Sequence, residues 1–212
     1  MNRNGNSTAV IILGSLLFLT GCGTSGPPGF DGRPIIKPLD QYESPMTRDV
    51  AHLLYPAFQE IQREIAARYS DHSLRFMSYG LQVIRIDKES VHKSGFYIRL
   101  EFTVTDRLDT RQSFLQQAQQ VGTRYIHPAL VALSSDWDRV FSPGIAGSML
   151  IFHWKASTVN QLMCLLETQD TRNYLNAEMT LQELIDRNWV EGKHGEQNLG
   201  RIELNALEME PI

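Results

Sequence analysis

Phe96-Tyr97-Ile98-Arg99-Leu100-Glu101-Phe102-Thr103-Val104 alternates without a break. Phe96, Ile98, Leu100, Phe102 and Val104 fall on one side of an extended chain; Tyr97, Arg99, Glu101 and Thr103 fall on the other. Period two sustained over such a run predicts a strand with one buried and one wet face. Upstream, residues 73–86 read as a second strand with less regular alternation. The polar stretch holding His92, Lys93, Ser94 and Gly95 then joins the two as an antiparallel hairpin with a long loop.

Helical signals flank this hairpin. Before it, Ser44 or Thr47 can cap a helix with Pro45 in its first turn. Val50, Leu53, Leu54, Ala57, Phe58, Ile61 and Ile65 form one apolar stripe reaching about Tyr69. Pro56 inside the stripe predicts a kink or restart near residues 52–56. After the hairpin, Asp109 or Thr110 caps a second helix marked by Phe114, Ala118, Val121, Tyr125, Ala129 and Leu133. Pro128 predicts a kink or a helix break just before it, and Gly122 would allow close approach to the sheet. Strands follow: a short one at Arg139 to Ser142, a turn at Pro143-Gly144, and Ser148 to Lys155, apolar on both faces like a central strand. Residues 158–168 fit either a helix or a strand paired with 148–155, with the strand preferred. Thr180-Leu181-Gln182-Glu183 is a capping box for a helix to about Asn188. Trp189 to Arg201 reads as a polar loop or long hairpin turn, and alternation after Gly200 predicts a terminal half-exposed strand. The fold class expected is α+β, a mainly antiparallel sheet with two longer helices packed on one face, in a single domain over residues 45–212.

The N-terminus is a different kind of sequence. An apolar run from Ala9 to Leu19 follows Arg3 and ends in Leu19-Thr20-Gly21-Cys22. A positive start, a short apolar run and small residues make the layout of a secretory signal peptide, and the run is too short to span a bilayer. Leu-Thr-Gly-Cys resembles the lipobox of bacterial lipoproteins. That resemblance implies cleavage of residues 1–21, diacylation of the Cys22 sulfur and acylation of its new amine, so that Cys22 is the lipidation site. Several acyl chains hold a protein on a membrane stably where one does not. Gly23 stands where an aspartate would favour inner-membrane retention, so the resemblance implies an outer-membrane anchor facing the periplasm of the cell envelope. Residues 22–44 mix Gly23, Gly26, Gly29 and Gly32 with Pro27, Pro28, Pro34 and Pro38. They read as a tether with a root-mean-square span on the order of 25 Å, although Phe30, Ile35 and Ile36 would let part of it pack on the domain.

Composition excludes some functions. The 212-residue chain has formal net charge −4, more negative by one once Arg3 is cut away. No clustered basic excess points to nucleic acid, and a mildly acidic surface argues against broad contact with anionic headgroups. With Cys22 committed to lipid, Cys164 is alone and has no disulfide partner. Its setting, Leu162-Met163-Cys164-Leu165-Leu166, suits a buried inert thiol better than a catalytic one.

Motifs that carry chemistry are missing. His52, His72, His92, His127, His153 and His194 never fall at i, i+2 or i, i+4, so no metal site is expected, and no cofactor is implied. His153 on an apolar strand reads as a hydrogen-bonded core residue, and His127 as a mark of the helix break. Gly144-Ile145-Ala146-Gly147-Ser148 lacks the pattern of a nucleophile elbow. Asp106 with Asp109, and Asp136 with Asp138, are acidic pairs in loops or caps, where such residues have local reasons to be. Ser134-Ser135-Asp136 reads as a turn or cap. The one cluster that suggests binding is Asp136-Trp137-Asp138-Arg139: Trp137 and Arg139 are either an interface hot spot or a tryptophan closing the core.

Together these features favour a non-enzymatic, lipid-anchored envelope domain that interacts with or assembles another envelope protein. A binding domain for a lipid or glycan fragment is the alternative, requiring a deep apolar pocket. A cell-wall hydrolase comes third, requiring a spatial cluster of the scattered His, Ser and Asp residues.

Overall fold

The computed structural model describes residues 35–37, 39–68, 74–84, 95–142 and 144–205. The signal segment, Cys22 and the first part of the tether lie outside the described residues. The remainder of the tether does not: β1 (Ile35–Ile36) is a strand, a 3-10 turn follows at Leu39–Gln41, and Tyr42 is buried. Part of the stretch read as a tether is thus joined to the sheet through β1, where Ile36 is partly buried against the core.

The order continues with α1 (Pro45–Arg68), β2 (Leu74–Ile84), β3 (Gly95–Val104), α2 (Phe114–Leu133), α3 (Trp137–Val140), β4 (Ile145–Lys155), β5 (Val159–Glu167), α4 (Thr168–Leu175), α5 (Leu181–Arg187), β6 (Trp189–His194) and β7 (Gln197–Arg201). One seven-stranded sheet runs β1 to β7 in sequence order. This is a mixed α+β fold. The pairs β2–β3, β4–β5, β5–β6 and β6–β7 are antiparallel, as hairpin connections require. By contrast, β1–β2 and β3–β4 are parallel, so the sheet is mixed rather than purely antiparallel. The physical reason is α2: a helix between β3 and β4 carries the chain back to the starting end of the sheet, which a parallel neighbour needs.

Both prolines lie within continuous helices, Pro56 in α1 and Pro128 in α2. Of the kink or break expected at Pro128, the break is absent; buried Tyr125, Ile126, Ala129 and Leu130 on either side pack α2 against the core and offset the lost backbone bond. The cap of α2 is Ser113, a few residues after the expected Asp109 or Thr110, in a complete capping box with Gln116. Gly122 meets the sheet closely: a Cβ there would lie 3.0 Å from Leu204 Cδ1 and 3.5 Å from Leu162 Cδ2. Arg139 to Ser142, read as a strand, is not one: Arg139 and Val140 are the last residues of the helical turn α3, and Phe141 and Ser142 follow it. The terminal strand also comes earlier than expected, ending at Arg201, so Trp189 to Arg201 is the β6–β7 hairpin itself.

Tyr97, read on the wet face of β3, is fully buried and Phe96, read on the buried face, is half-buried, but from Ile98 onward β3 has the predicted alternation, with Ile98, Leu100, Phe102 and Val104 buried. These side chains join Leu150, Phe152 and Trp154 of β4 and Leu162, Cys164 and Leu166 of β5 in one core. Buried residues of α1 (Leu54, Phe58, Ile61) and α2 (Val121, Ile126, Leu130) belong to the same core, as do Leu184 and Ile185 of α5. Phe102 stacks on Phe152 with ring centroids 5.3 Å apart. Each large side chain fully buried here contributes about 1.5–3 kcal/mol. Cys164 is a free thiol, fully buried among them, and burial pushes its pKa up to about 12. The expectation that this thiol is buried is met.

Candidate functional site

Tyr97, Ile151 and Leu165 are buried, yet they stand apart from the core that holds the helices' side chains. They belong to the opposite face of the sheet. Strand register lays this face out in rows. Arg99 neighbours Met149, Leu165 and Trp189; Glu101 neighbours Ile151, Met163, Glu191 and Arg201; Thr103 neighbours His153, Gln161 and Lys193. Met149, Ile151, Met163, Leu165 and Trp189 thus form an apolar patch across β4, β5 and β6, bordered by charge on both sides.

On the β3 side the border is a three-residue cluster. Arg99 Nη2 donates to Glu101 Oε2 at 2.5 Å, and His153 Nε2 lies 2.7 Å from Glu101 Oε1. Both oxygens of this carboxylate are engaged, one by the guanidinium and one by the imidazole. His153 is hydrogen-bonded, as expected, but it lies on this face rather than in the core, because its strand position has the parity of Ile151 and not of Phe152. On the far side, the Arg201 guanidinium sits 5.5 Å from the Trp189 ring centroid, and Trp189 Nε1 donates to Glu191 Oε2 at 3.3 Å. Tyr97, at the end of the face, has its pKa pushed up to about 12 by burial and, secondarily, by the Glu167 charge.

The remaining candidates disperse. Trp137 and Arg139 lie on the single turn of α3; their side chains fall outside what the structure describes. The acidic pair in the β3–α2 loop is used locally. Tyr125 donates its hydroxyl to Asp106 Oδ2 at 2.5 Å, Arg124 also pairs with Asp106, and Arg111 binds both oxygens of Asp109 and holds that carboxyl below its usual pKa. Ser148 is fully buried on β4 and its hydroxyl has no hydrogen-bond partner, the reverse of a presented nucleophile. Ser134 and Ser135 bond back to Val131 and Ala132 carbonyls, as turn residues do. His127 does not mark a helix end; its Nδ1 lies 2.9 Å from the Tyr174 hydroxyl. Among the described residues, no group of three or more His, Cys, Asp or Glu could hold a metal ion.

Sequence reasoning missed a buried polar network. Gln117 of α2 accepts from Trp154 Nε1 at 2.9 Å and from Asn160 Nδ2 at 3.3 Å, and donates to the Asp109 and Gln112 carbonyls. His194 Nδ1 lies 2.7 Å from Asn160 Oδ1. These residues come from four elements with no shared spacing, so only the fold reveals them. Every polar atom of the Gln117 amide is satisfied, the condition under which burying it is tolerable. The network ties α2 to β4, β5 and β6.

A separate groove of about 650 Å³ runs beside β2 where the tether joins the fold. Lys37, Tyr42, Met46, Leu81, Val83 and Phe96 are among its lining residues.

No protein-family model, curated protein or solved structure matches the chain.

Proposed function

We propose that the protein is a lipid-anchored lipoprotein of the bacterial cell envelope, held to the outer membrane through Cys22, whose domain binds another envelope protein without catalysis of its own. In this reading both long helices and α5 cover one face of the sheet and leave the other to a partner. The observation that supports it most is the second face: five apolar side chains, two of them methionines and one a tryptophan, in adjoining rows framed by Arg99, Glu101, His153 and Arg201. Adaptable methionines with aromatic and arginine anchors are the usual make-up of a protein-binding surface. The anchor rests on Leu19-Thr20-Gly21-Cys22. Among the described residues no helix is long and apolar enough to cross a membrane, so attachment in this reading is through lipid.

Two variants test it in cells. Cys22→Ala should abolish lipid labelling and leave the precursor unprocessed; normal labelling of that variant would refute the anchor. In a full-length protein with a wild-type anchor, Met163→Lys places a charge in the centre of the patch. It should remove a protein crosslinked to the wild-type chain in membranes while leaving the urea midpoint nearly unchanged, since Met163 is only partly buried. A crosslinking pattern identical to wild type would refute the partner face.

A further inference from the structure

We infer that the edge of β2 beyond β1 receives an extended segment of a partner polypeptide as an added strand, with alternate side chains of that segment seated in the groove against Met46, Val83 and Phe96. This goes beyond the partner face described above, because it concerns a different edge and a different mode of recognition.

The backbone identifies the kind of occupant. Among the described residues Leu39–Gln41 form a 3-10 turn, and β1 pairs with β2 at Ser78 and Tyr79 alone. Two residues further along, the Leu81 N–H donates to the Tyr42 hydroxyl at 2.9 Å. A side-chain oxygen thus stands where the carbonyl of a neighbouring strand would be, and it fixes the direction of the ladder. Leu81 points its backbone groups outward, away from β3, so Val83, two residues on in unbroken register with Phe96, does the same. No partner for the Val83 N–H exists among the described residues, and its carbonyl has only the Gln82 side-chain amide at 3.5 Å. Among the described residues, the Leu81 carbonyl and the Val83 N–H therefore form a short open edge. Unpaired edge groups of this kind are the template that strand addition uses.

The side chains agree with the backbone. Val83 is 39% exposed and Met46, across the groove on the first turn of α1, is 66% exposed. Phe96 lies opposite Val83 on β3 and forms part of the floor. A strand added here would direct every second side chain toward the apolar part of this groove at Met46, Val83 and Phe96, whose lining elsewhere is polar (Gln41, Glu43, Ser44, Gln82), and the others to solvent. Main-chain bonds would supply affinity and the groove would supply preference, so alternating apolar residues are the expected sequence requirement. Lys37, whose ammonium lies 4.5 Å from the Tyr42 ring centroid, closes the end of the groove nearest β1.

Full-length lipoprotein in detergent, panned against a displayed library of random short peptides, tests this directly. Selected peptides should share apolar residues at alternate positions and should slow amide exchange at residues 81–84. Val83→Pro removes the outward N–H without taking a bond from the β2–β3 ladder, a substitution that sheet edges tolerate. It should weaken the selected peptides about tenfold or more, the cost of an unmade backbone hydrogen bond plus the displaced strand. Met46→Glu, at a solvent-exposed position, should weaken them similarly and covers the case in which the proline variant does not fold. Met163→Lys should leave peptide binding unchanged. The inference is overturned if no peptide is selected, if residues 81–84 exchange as before, or if Val83→Pro and Met46→Glu bind like wild type. Loss of binding in Met163→Lys instead would assign the peptides to the other face and overturn it as well.

Discussion

Ala177 is the only non-glycine residue with positive φ among the described residues, at 59°. It ends α4: its N–H donates to the Tyr174 carbonyl at 3.0 Å and the Glu178 N–H donates to the Asn173 carbonyl at 2.8 Å. That pair of bonds is the Schellman arrangement, whose left-handed residue is ordinarily glycine because a Cβ is disfavoured there. Ala177→Gly should therefore stabilise the domain by about 0.5–1 kcal/mol, seen as a higher urea midpoint with an unchanged slope. An unchanged or lower midpoint would mean that the strain is relieved elsewhere. Alanine gives no cue to this turn in the sequence. Pro143-Gly144 does, and Gly144 has φ 102° just before β4.

Elements were legible in proportion to how much of their stability is local. β3 was readable because every second residue from Ile98 to Val104 is buried, and α5 because Thr180 and Glu183 cap it with their own side chains. α4 went unread because its sequence, Thr-Gln-Asp-Thr-Arg-Asn-Tyr-Leu, has little apolar content and Glu167 provides no side-chain cap. It is held by longer-range bonds, such as Thr168 Oγ1 to the Ile145 carbonyl and Arg172 Nη2 to the Phe141 carbonyl. The β4–β5 pair sits between these cases. Its strands were readable, but the closeness of its backbone at Gly147 was not. A Cβ there would lie 2.0 Å from the Leu166 carbonyl oxygen and 2.7 Å from Tyr97 Cε1. Neither neighbour can yield cheaply, one being backbone in the next strand and the other a fully buried ring. Gly147→Ala should cost more than about 3 kcal/mol or prevent folding, within the range for overpacking at a constrained site. Near-wild-type stability on urea unfolding would show that the two strands can separate locally, and would remove close packing as the reason for glycine.

At the scale of the whole molecule, the residues that frame the proposed partner face are brought together by topology. Glu101 and His153 are 52 residues apart and meet because a helix crossover makes β3 and β4 parallel; no spacing rule relates them. The same topology gives the sheet two different sides, each holding an ionisable group in its neutral form. Cys164 faces the helix side, where burial raises its pKa from 9.0 to about 12. Tyr97 lies on the other side, where burial and then the Glu167 charge raise it from 10.0 to about 12. The unfolded chain releases these protons first, so in the window between the two states' pKa values it binds fewer protons than the folded chain. Stability then falls as pH rises. Below about pH 9 neither group contributes a pH dependence; from about pH 9 the thiol destabilises the fold, from about pH 10 the tyrosine adds to it, and the slope flattens again near about pH 12. Cys164→Ala lowers the baseline by leaving a small void, but it should also move the start of the alkaline decline from about pH 9 to about pH 10. Urea midpoints measured across this range for both proteins separate the two effects, since the void shifts every midpoint alike and the lost thiol changes only where the decline begins. An unmoved onset would mean that the thiol ionises as readily in the folded chain as in the unfolded one, which is incompatible with a sealed helix side of the sheet.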